Sequence, residues 1–368
     1  MIPLLVVLLC LLVPSFSEAQ ERPPRFKIEN SLQAGPEYDS NIFRTYTTPT
    51  KDTLARLLFG SHATVALSDA WFTGWNFQLG GKLFFRHTEK NRLIQYIAVP
   101  FTWAPNERFS VTLSSDFKYQ RESSALDNPD PALASDINED FYSPSGQIQM
   151  RWGLPAGVSL EPFGLFTYYR FRTIPTYSYY LEKGGVLVRK TLFPFLAIGA
   201  QYAYFGTQFL DTTRADREHE ISGLVQYLGL PYITARYIYE DSTSNDPSFS
   251  FKNHRVTVTV SLPFGERKEE PLSASFEGVP STLFAVHLIG AFQFRKYPSV
   301  VVETQEGRRY LLTGAEDDNF NQILVKFTIH PTKRWAFETK YTLYSSGASD
   351  QPVSYHRSLA YAGARLTF

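Results

Sequence analysis

The chain has 368 residues, and its 36 Lys and Arg balance its 36 Asp and Glu to a formal net charge of zero, which leaves no global electrostatic case for nucleic-acid binding. Its one cysteine, Cys10, lies in the opening apolar run, so the remainder holds neither a disulfide framework nor a thiolate metal site. Aromatic residues make up 15% of the chain, mostly Phe and Tyr; a soluble periplasmic domain rarely needs that many, whereas a membrane barrel with two aromatic girdles does.

Residues 1–19 read as a cleavable signal peptide. An apolar run from Leu4 to Val13 ends at Pro14, and the small residues Ser17 and Ala19 place the mature start near Gln20. The run is too short to span a bilayer. No Lys or Arg precedes it, a departure from the usual leader, and Leu9 ahead of Cys10 argues against lipoprotein cleavage. No later apolar run approaches the roughly twenty residues of a membrane helix. Residues 20–368 are therefore read as one domain.

That domain is a succession of alternating stretches. In 26–34, Phe26, Ile28, Leu32 and Ala34 share one face; Gly35-Pro36 and a polar loop to Asp52 follow. In 57–67 the apolar face is Leu57, Phe59, Ala63, Val65 and Leu67. The stretch 71–86 sets Trp75, Phe77, Leu79, Gly81, Leu83 and Phe85 against Asn76, Gln78, Gly80, Lys82, then Phe84 and Arg86. Period-two alternation of this kind predicts a strand with one apolar and one polar face. The same pattern returns in 92–103 and most cleanly in 109–120, where Phe109, Val111, Leu113, Phe117 and Tyr119 alternate with Ser110, Thr112, Ser114, Asp116, Lys118 and Gln120. Beyond a long acidic loop, Ile148, Met150, Trp152 and Leu154 alternate with Gln147, Gln149 and Arg151. Pro162 predicts a bulge within 160–171, since proline cannot donate to a ladder. The stretch 179–190 has an ambiguous register. Strands at 196–204, 221–227, 233–239 and 256–262, a charged linker at 263–280, and strands at 284–294, 323–329, 335–343 and 357–368 complete the set.

About sixteen such strands, apolar outside and polar inside, predict an all-β transmembrane antiparallel β-barrel in a bacterial outer membrane. The connections alternate between short turns and longer polar loops, and an even count puts both termini in the periplasm. The barrel closes because an open edge would leave backbone groups unpaired in lipid, at several kcal/mol each. Tryptophan supports the topology independently: Trp71, Trp103, Trp152 and Trp335 fall beside short turns, while Tyr119, Tyr169, Tyr204, Tyr239 and Tyr344 fall at the other strand ends, and both residue types favour the headgroup level. Phe368 ends the chain on the face of Ala360, Ala362, Ala364 and Leu366. This is similar to the C-terminal signal that outer-membrane barrels present to the insertion machinery, so that machinery and the surrounding lipid are the expected partners.

The register predicts an inner wall that includes Lys82, Arg86, Asp116, Lys118, Arg151, Arg170, Arg172, Arg236, Lys326 and Lys340. Inward bases outnumber inward acids, a field that favours anions modestly, unless the charges simply pair across strands. Sixteen strands leave room for an aqueous channel. The long loop after residue 120 carries Asp127, Asp130 and Asp136 and stands third on its side, where sixteen-stranded general porins fold a loop inward to narrow the pore; a solvated outer loop is the alternative. His356-x-Ser358 faintly resembles outer-membrane phospholipase A but has no Asn or Asp to orient the base, so no enzyme is expected, and no cofactor or metal.

The segment Gly35-Pro36-Glu37-Tyr38-Asp39-Ser40-Asn41-Ile42-Phe43 resembles the one after the first strand in outer-membrane barrels associated with exopolysaccharide or surface-polymer export. Lipoprotein-export barrels carry a similar segment, but behind a helical-repeat domain that this chain lacks. The residues Asp39, Ser40 and Asn41 also suit the plain role of capping a turn. Two function classes follow: a passive channel for small hydrophilic solutes, or the outer-membrane component of an export system docked to periplasmic partners, which the charged linker favours slightly. A structural or protein-secretion barrel without passive conductance stands third, and homo-oligomerisation is left open.

Overall fold

A computed structural model describes residues 26–42, 48–123, 138–172, 175, 178–210, 212–246, 249–266, 282–296, 301–303, 309–311, 318–332, 334–347 and 355–368. Its strands are β1 (Phe26–Asp39), β2 (Asp52–Ala66), β3 (Trp71–Phe84), β4 (Arg92–Asn106), β5 (Phe109–Ser123), β6 (Asn138–Leu154), β7 (Val158–Phe171), β8 (Tyr179–Phe193) and β9 (Leu196–Phe209). They continue as β10 (Ala215–Tyr227), β11 (Tyr232–Ser244), β12 (Phe251–Glu266), β13 (Thr282–Lys296), β14 (Val301–Glu303), β15 (Arg309–Leu311), β16 (Asp318–Ile329), β17 (Trp335–Gly347) and β18 (Tyr355–Thr367). All but β14 and β15 form one closed antiparallel barrel of 16 strands, each paired with its neighbours in chain order and β18 returning to β1. β14 and β15 pair only with each other, between β13 and β16.

Period-two alternation sets the two faces, because a strand sends successive side chains to opposite sides. Leu32 of β1 pairs with Phe59 of β2 and with Leu366 of β18, so one apolar row runs unbroken across the closure. Outer residues remain open to their surroundings: Leu83 is 56% exposed, Ile221 57% and Ile329 51%. In water such a surface would aggregate; in lipid it is solvated, and closure leaves no unpaired edge.

Aromatic rings mark both ends of the apolar band. At the end where β1 begins and β18 finishes, Trp71 stacks on Trp103 at 5.8 Å, Trp103 meets Phe109 at 5.7 Å, and Phe109 meets Trp152 at 6.2 Å. At the other end Tyr142, Tyr168 and Tyr180 form a row, with 4.9 Å between the last two rings. Both belts sit where amphipathic rings prefer the headgroup level.

Two expectations about individual strands change. Residues 35–39 continue β1 rather than opening a loop: Pro36 faces Ala55 and Glu37 faces Leu54. Gly35 makes this possible, since a Cβ there would run into the Ala362 carbonyl of β18. Pro162 lies in register with Val186 and forms no bulge; instead the β6–β7 ladder is interrupted beside it, between Gln149↔Phe163 and Trp152↔Leu160, which is what a missing N–H does. The register shifts fall elsewhere, at Trp103/Asn106 and Thr191/Phe193.

Candidate functional site

The inner face of the barrel is a wall of charged side chains tied across strands. On β1–β3, the Lys82 ammonium donates to Glu37 Oε1 at 2.5 Å, and Arg56 lies 3.7 Å from the other carboxylate oxygen. Across the barrel closure, Glu338 of β17 lies 3.5 Å from both Lys326 of β16 and Arg365 of β18, and accepts from Gln33 of β1 at 2.8 Å. Three strands and the seam thus meet on one carboxylate.

The densest group spans β8–β12. Glu220 accepts from Arg236 at 3.1 Å and from Gln201 at 3.0 Å, with Lys183 at 3.6 Å. Arg236 also donates to Ser222 at 3.0 Å. Next to it, Glu240 accepts from Arg255 at 2.8 Å and from Asn253 at 2.5 Å. The Lys183 ammonium stands 4.1 Å from the Phe205 ring centre, a cation–π contact. Glu161 lies 3.9 Å from Arg189 and accepts from Ser159 at 2.8 Å. Repeated cross-strand pairing sets a base beside each of these carboxylates while leaving a polar, charge-lined surface.

Of the residues predicted to line this wall, Lys82, Asp116, Lys118, Arg151, Arg236, Lys326 and Lys340 lie on the inner face, opposite the lipid-facing rows. They do not converge on one point. Asp116 accepts from the Ser145 hydroxyl of β6, and Lys118 stands 5.2 Å from the Phe141 ring centre. Three predictions are corrected. Arg170 shares the outer face with Phe166 and Tyr168, since it pairs with Tyr142 on the ladder; the error came from the tyrosine run 168–169, which hid the phase of β7. Arg172 lies past the end of β7 and is exposed. Arg86 lies past the end of β3, exposed, where its backbone N–H donates to Asp52 Oδ2 at 3.1 Å. Asp127, Asp130 and Asp136 lie outside the described residues.

Glu37, Arg56, Arg92, Glu161, Lys183 and Arg189 join the wall without having been predicted. For Glu37 the signal was present: the odd positions of 26–34 continue through Gly35 to Glu37 and Asp39. For Lys183 and Arg189 it was concealed, because Glu182 and Lys190 on the outer face of β8 blur the alternation.

The segment 35–43 has a definite local role up to Ile42. Asp39, fully buried, accepts from Arg357 of β18 through both oxygens, one bond being 2.9 Å. Its Oδ1 also accepts the Asn41 N–H at 3.0 Å. The Ser40 N–H donates to the Ser358 carbonyl at 3.0 Å, and the Ser358 N–H donates to Ser40 Oγ at 2.8 Å. Asn41 Nδ2 donates to the His356 carbonyl at 3.1 Å, and Ile42 packs with Leu54 and Phe84. The segment is a clasp across the seam between first and last strands. His356 and Ser358 lie on the outer face of β18 and contribute backbone to that clasp.

No family model matches the chain, and no curated relative does. Among solved structures it is similar to a bacterial polysaccharide outer membrane secretin (10% identity, 92% of this chain and 98% of that one, TM-score 0.45). It is also similar to an anion-selective porin from Comamonas acidovorans (13%, 93% and 99%, TM-score 0.47) and to OccAB3 of Acinetobacter baumannii (9%, 93% and 99%, TM-score 0.49). Closure, the lipid-facing apolar rows, the aromatic girdles and the charged inner wall make this chain a sixteen-stranded, porin-like β-barrel of the bacterial outer membrane.

Proposed function

We propose that the barrel is a channel for small hydrophilic solutes with a modest preference for anions. The observation that carries this reading is the inner wall, where Lys82, Arg56, Lys118, Lys183, Arg236, Lys326 and Arg365 stand on a circumference of sixteen strands. A barrel of that size has room for water along its axis, and a charged wall hydrates it. Because many of these bases already hold carboxylates, the residual field is small and salt screens it readily. Narrowing of the lumen by Asp127, Asp130 and Asp136 belongs to the same proposal.

Export of a surface polymer rested on the 35–43 segment and, slightly, on the charged linker, of which 267–280 lie outside the described residues. Clasping the seam accounts for Asp39, Ser40 and Asn41 without an exported polymer, and this favours the passive channel. The test is conductance of the purified protein in planar bilayers under a salt gradient. A reversal potential of the sign for anion preference, shrinking as salt rises, supports the proposal. A folded protein without conductance rejects it.

A further inference from the structure

The outer face carries one arrangement twice. On β9 and β10, Tyr202 and Tyr204 flank His219: the Tyr202 hydroxyl and His219 Nδ1 are 2.8 Å apart, and the Tyr204 and His219 rings stand 5.3 Å apart. On β11 and β12, Tyr237 and Tyr239 flank His254 in the same way, at 2.8 Å and 5.1 Å. The registers are equivalent, with Tyr204 opposite His219 and Tyr239 opposite His254. Two residues nearer the loops stands a base in each copy, Arg217 and Lys252.

In each copy the tyrosine hydroxyl holds Nδ1, and among the described residues Nε2 has no hydrogen-bond partner. Both histidines are exposed, as is Arg217, which forms no ion pair among the described residues. Lys252 is 3.7 Å from Asp241, the acid that shares the outer face of these strands among the described residues, and Asp241 pairs with His219 on the ladder. Below the histidines the face turns apolar, with Ile221 57% and Val256 38% exposed. Base, imidazole, tyrosine and aliphatic side chain therefore succeed one another from loop end to mid-membrane, the order of charge, sugar and acyl chain in a phosphorylated lipid.

The geometry points to a binding site for a bisphosphorylated glycolipid of the outer leaflet, with one phosphate at Arg217–His219 and the other at Lys252–His254. Two strand spacings and a two-residue offset separate the histidines by about 12 Å, roughly the length of a disaccharide. Charge-assisted hydrogen bonds from guanidinium, ammonium and imidazole are suited to phosphate oxygens. The tyrosines fix each ring, so little side-chain freedom is lost on binding. The site is on the lipid face and is independent of conduction through the lumen.

The test is native mass spectrometry of the full barrel in mild detergent with bisphosphorylated lipid A, its monophosphorylated and dephosphorylated forms, and phosphatidylglycerol. Retention should fall in that order of phosphate number, with phosphatidylglycerol below the bisphosphorylated form. The combined variant Arg217→Gln, His219→Gln, Lys252→Gln and His254→Gln should retain the bisphosphorylated form about tenfold less. Lys190→Gln, near the opposite rim, should retain it as wild type does. Heat-shifted mobility checks folding, and His219→Gln alone should lose part of the effect if the combined variant assembles poorly. Equal retention by wild type and variants, or equal binding of the dephosphorylated lipid, overturns the assignment. Displacement by inorganic phosphate would also overturn it, since the site would then recognise free phosphate.

Discussion

Breaking the seam clasp gives the sharpest structural prediction. Asp39 and Arg357 are almost wholly buried, at 1% and 3% side-chain exposure, and they join the first strand to the last. Arg357→Ala leaves a buried carboxylate with the Asn41 N–H as its remaining hydrogen-bond donor among the described residues. Removing one member of a buried pair costs about 3–5 kcal/mol, and the Asn41 bond places the loss near the lower limit. Replacing both members, Asp39→Leu with Arg357→Met, leaves no uncompensated charge and should restore most of the stability. The assay is urea unfolding in lipid vesicles followed by tryptophan fluorescence, read as a change of midpoint at constant slope. If the single variant stays within about 1 kcal/mol of wild type, or the double variant is no better than the single, then the pair does not hold the seam as described.

Other consequences concern topology and assembly. An epitope tag at Asp130 should be reachable by antibody on intact cells and one at Lys268 should not; the opposite pattern would invert the barrel in the membrane. Deleting Phe368, whose N–H and carbonyl pair with Asn30 at 2.9 Å, should lower the amount of heat-modifiable barrel, and an unchanged yield would remove its assembly role. Glu220→Gln should destabilise the barrel more than Glu161→Gln, because Glu220 compensates both Lys183 and Arg236 whereas Glu161 holds Ser159 and a distant Arg189; equal urea midpoints would contradict that ranking.

The fold was legible because a barrel in lipid permits little else: alternation states which face meets acyl chains, and turns state where strands end. That logic placed Lys82, Lys118, Arg236 and Lys326 on the inner wall. It failed where the outer face is not apolar. At the tyrosine end the girdle accepts charge, so Arg170 on β7 and Glu182 on β8 point outward without breaking the fold, and a rule equating polar with inward misplaces them. It also failed at Gly35-Pro36, which reads as a turn locally but serves close approach of β1 to β18, a contact hundreds of residues away in sequence. The Tyr–His pairs were invisible because they depend on the register between the two strands of a hairpin and not on any single strand.

The central claim is that water and small ions pass along the charged inner wall. It is tested most directly by single-channel recording from the purified, heat-modifiable protein in planar bilayers, at low salt and at 1 M, where the Debye length is about 3 Å. We predict discrete conductance steps and a preference for anions that weakens at 1 M. Glu338→Gln should strengthen the preference, because it frees Lys326 and Arg365 from a shared carboxylate. Deleting residues 123–135 should raise conductance if the acidic loop narrows the lumen. A folded protein that stays silent with the loop present and with it removed would contradict the channel.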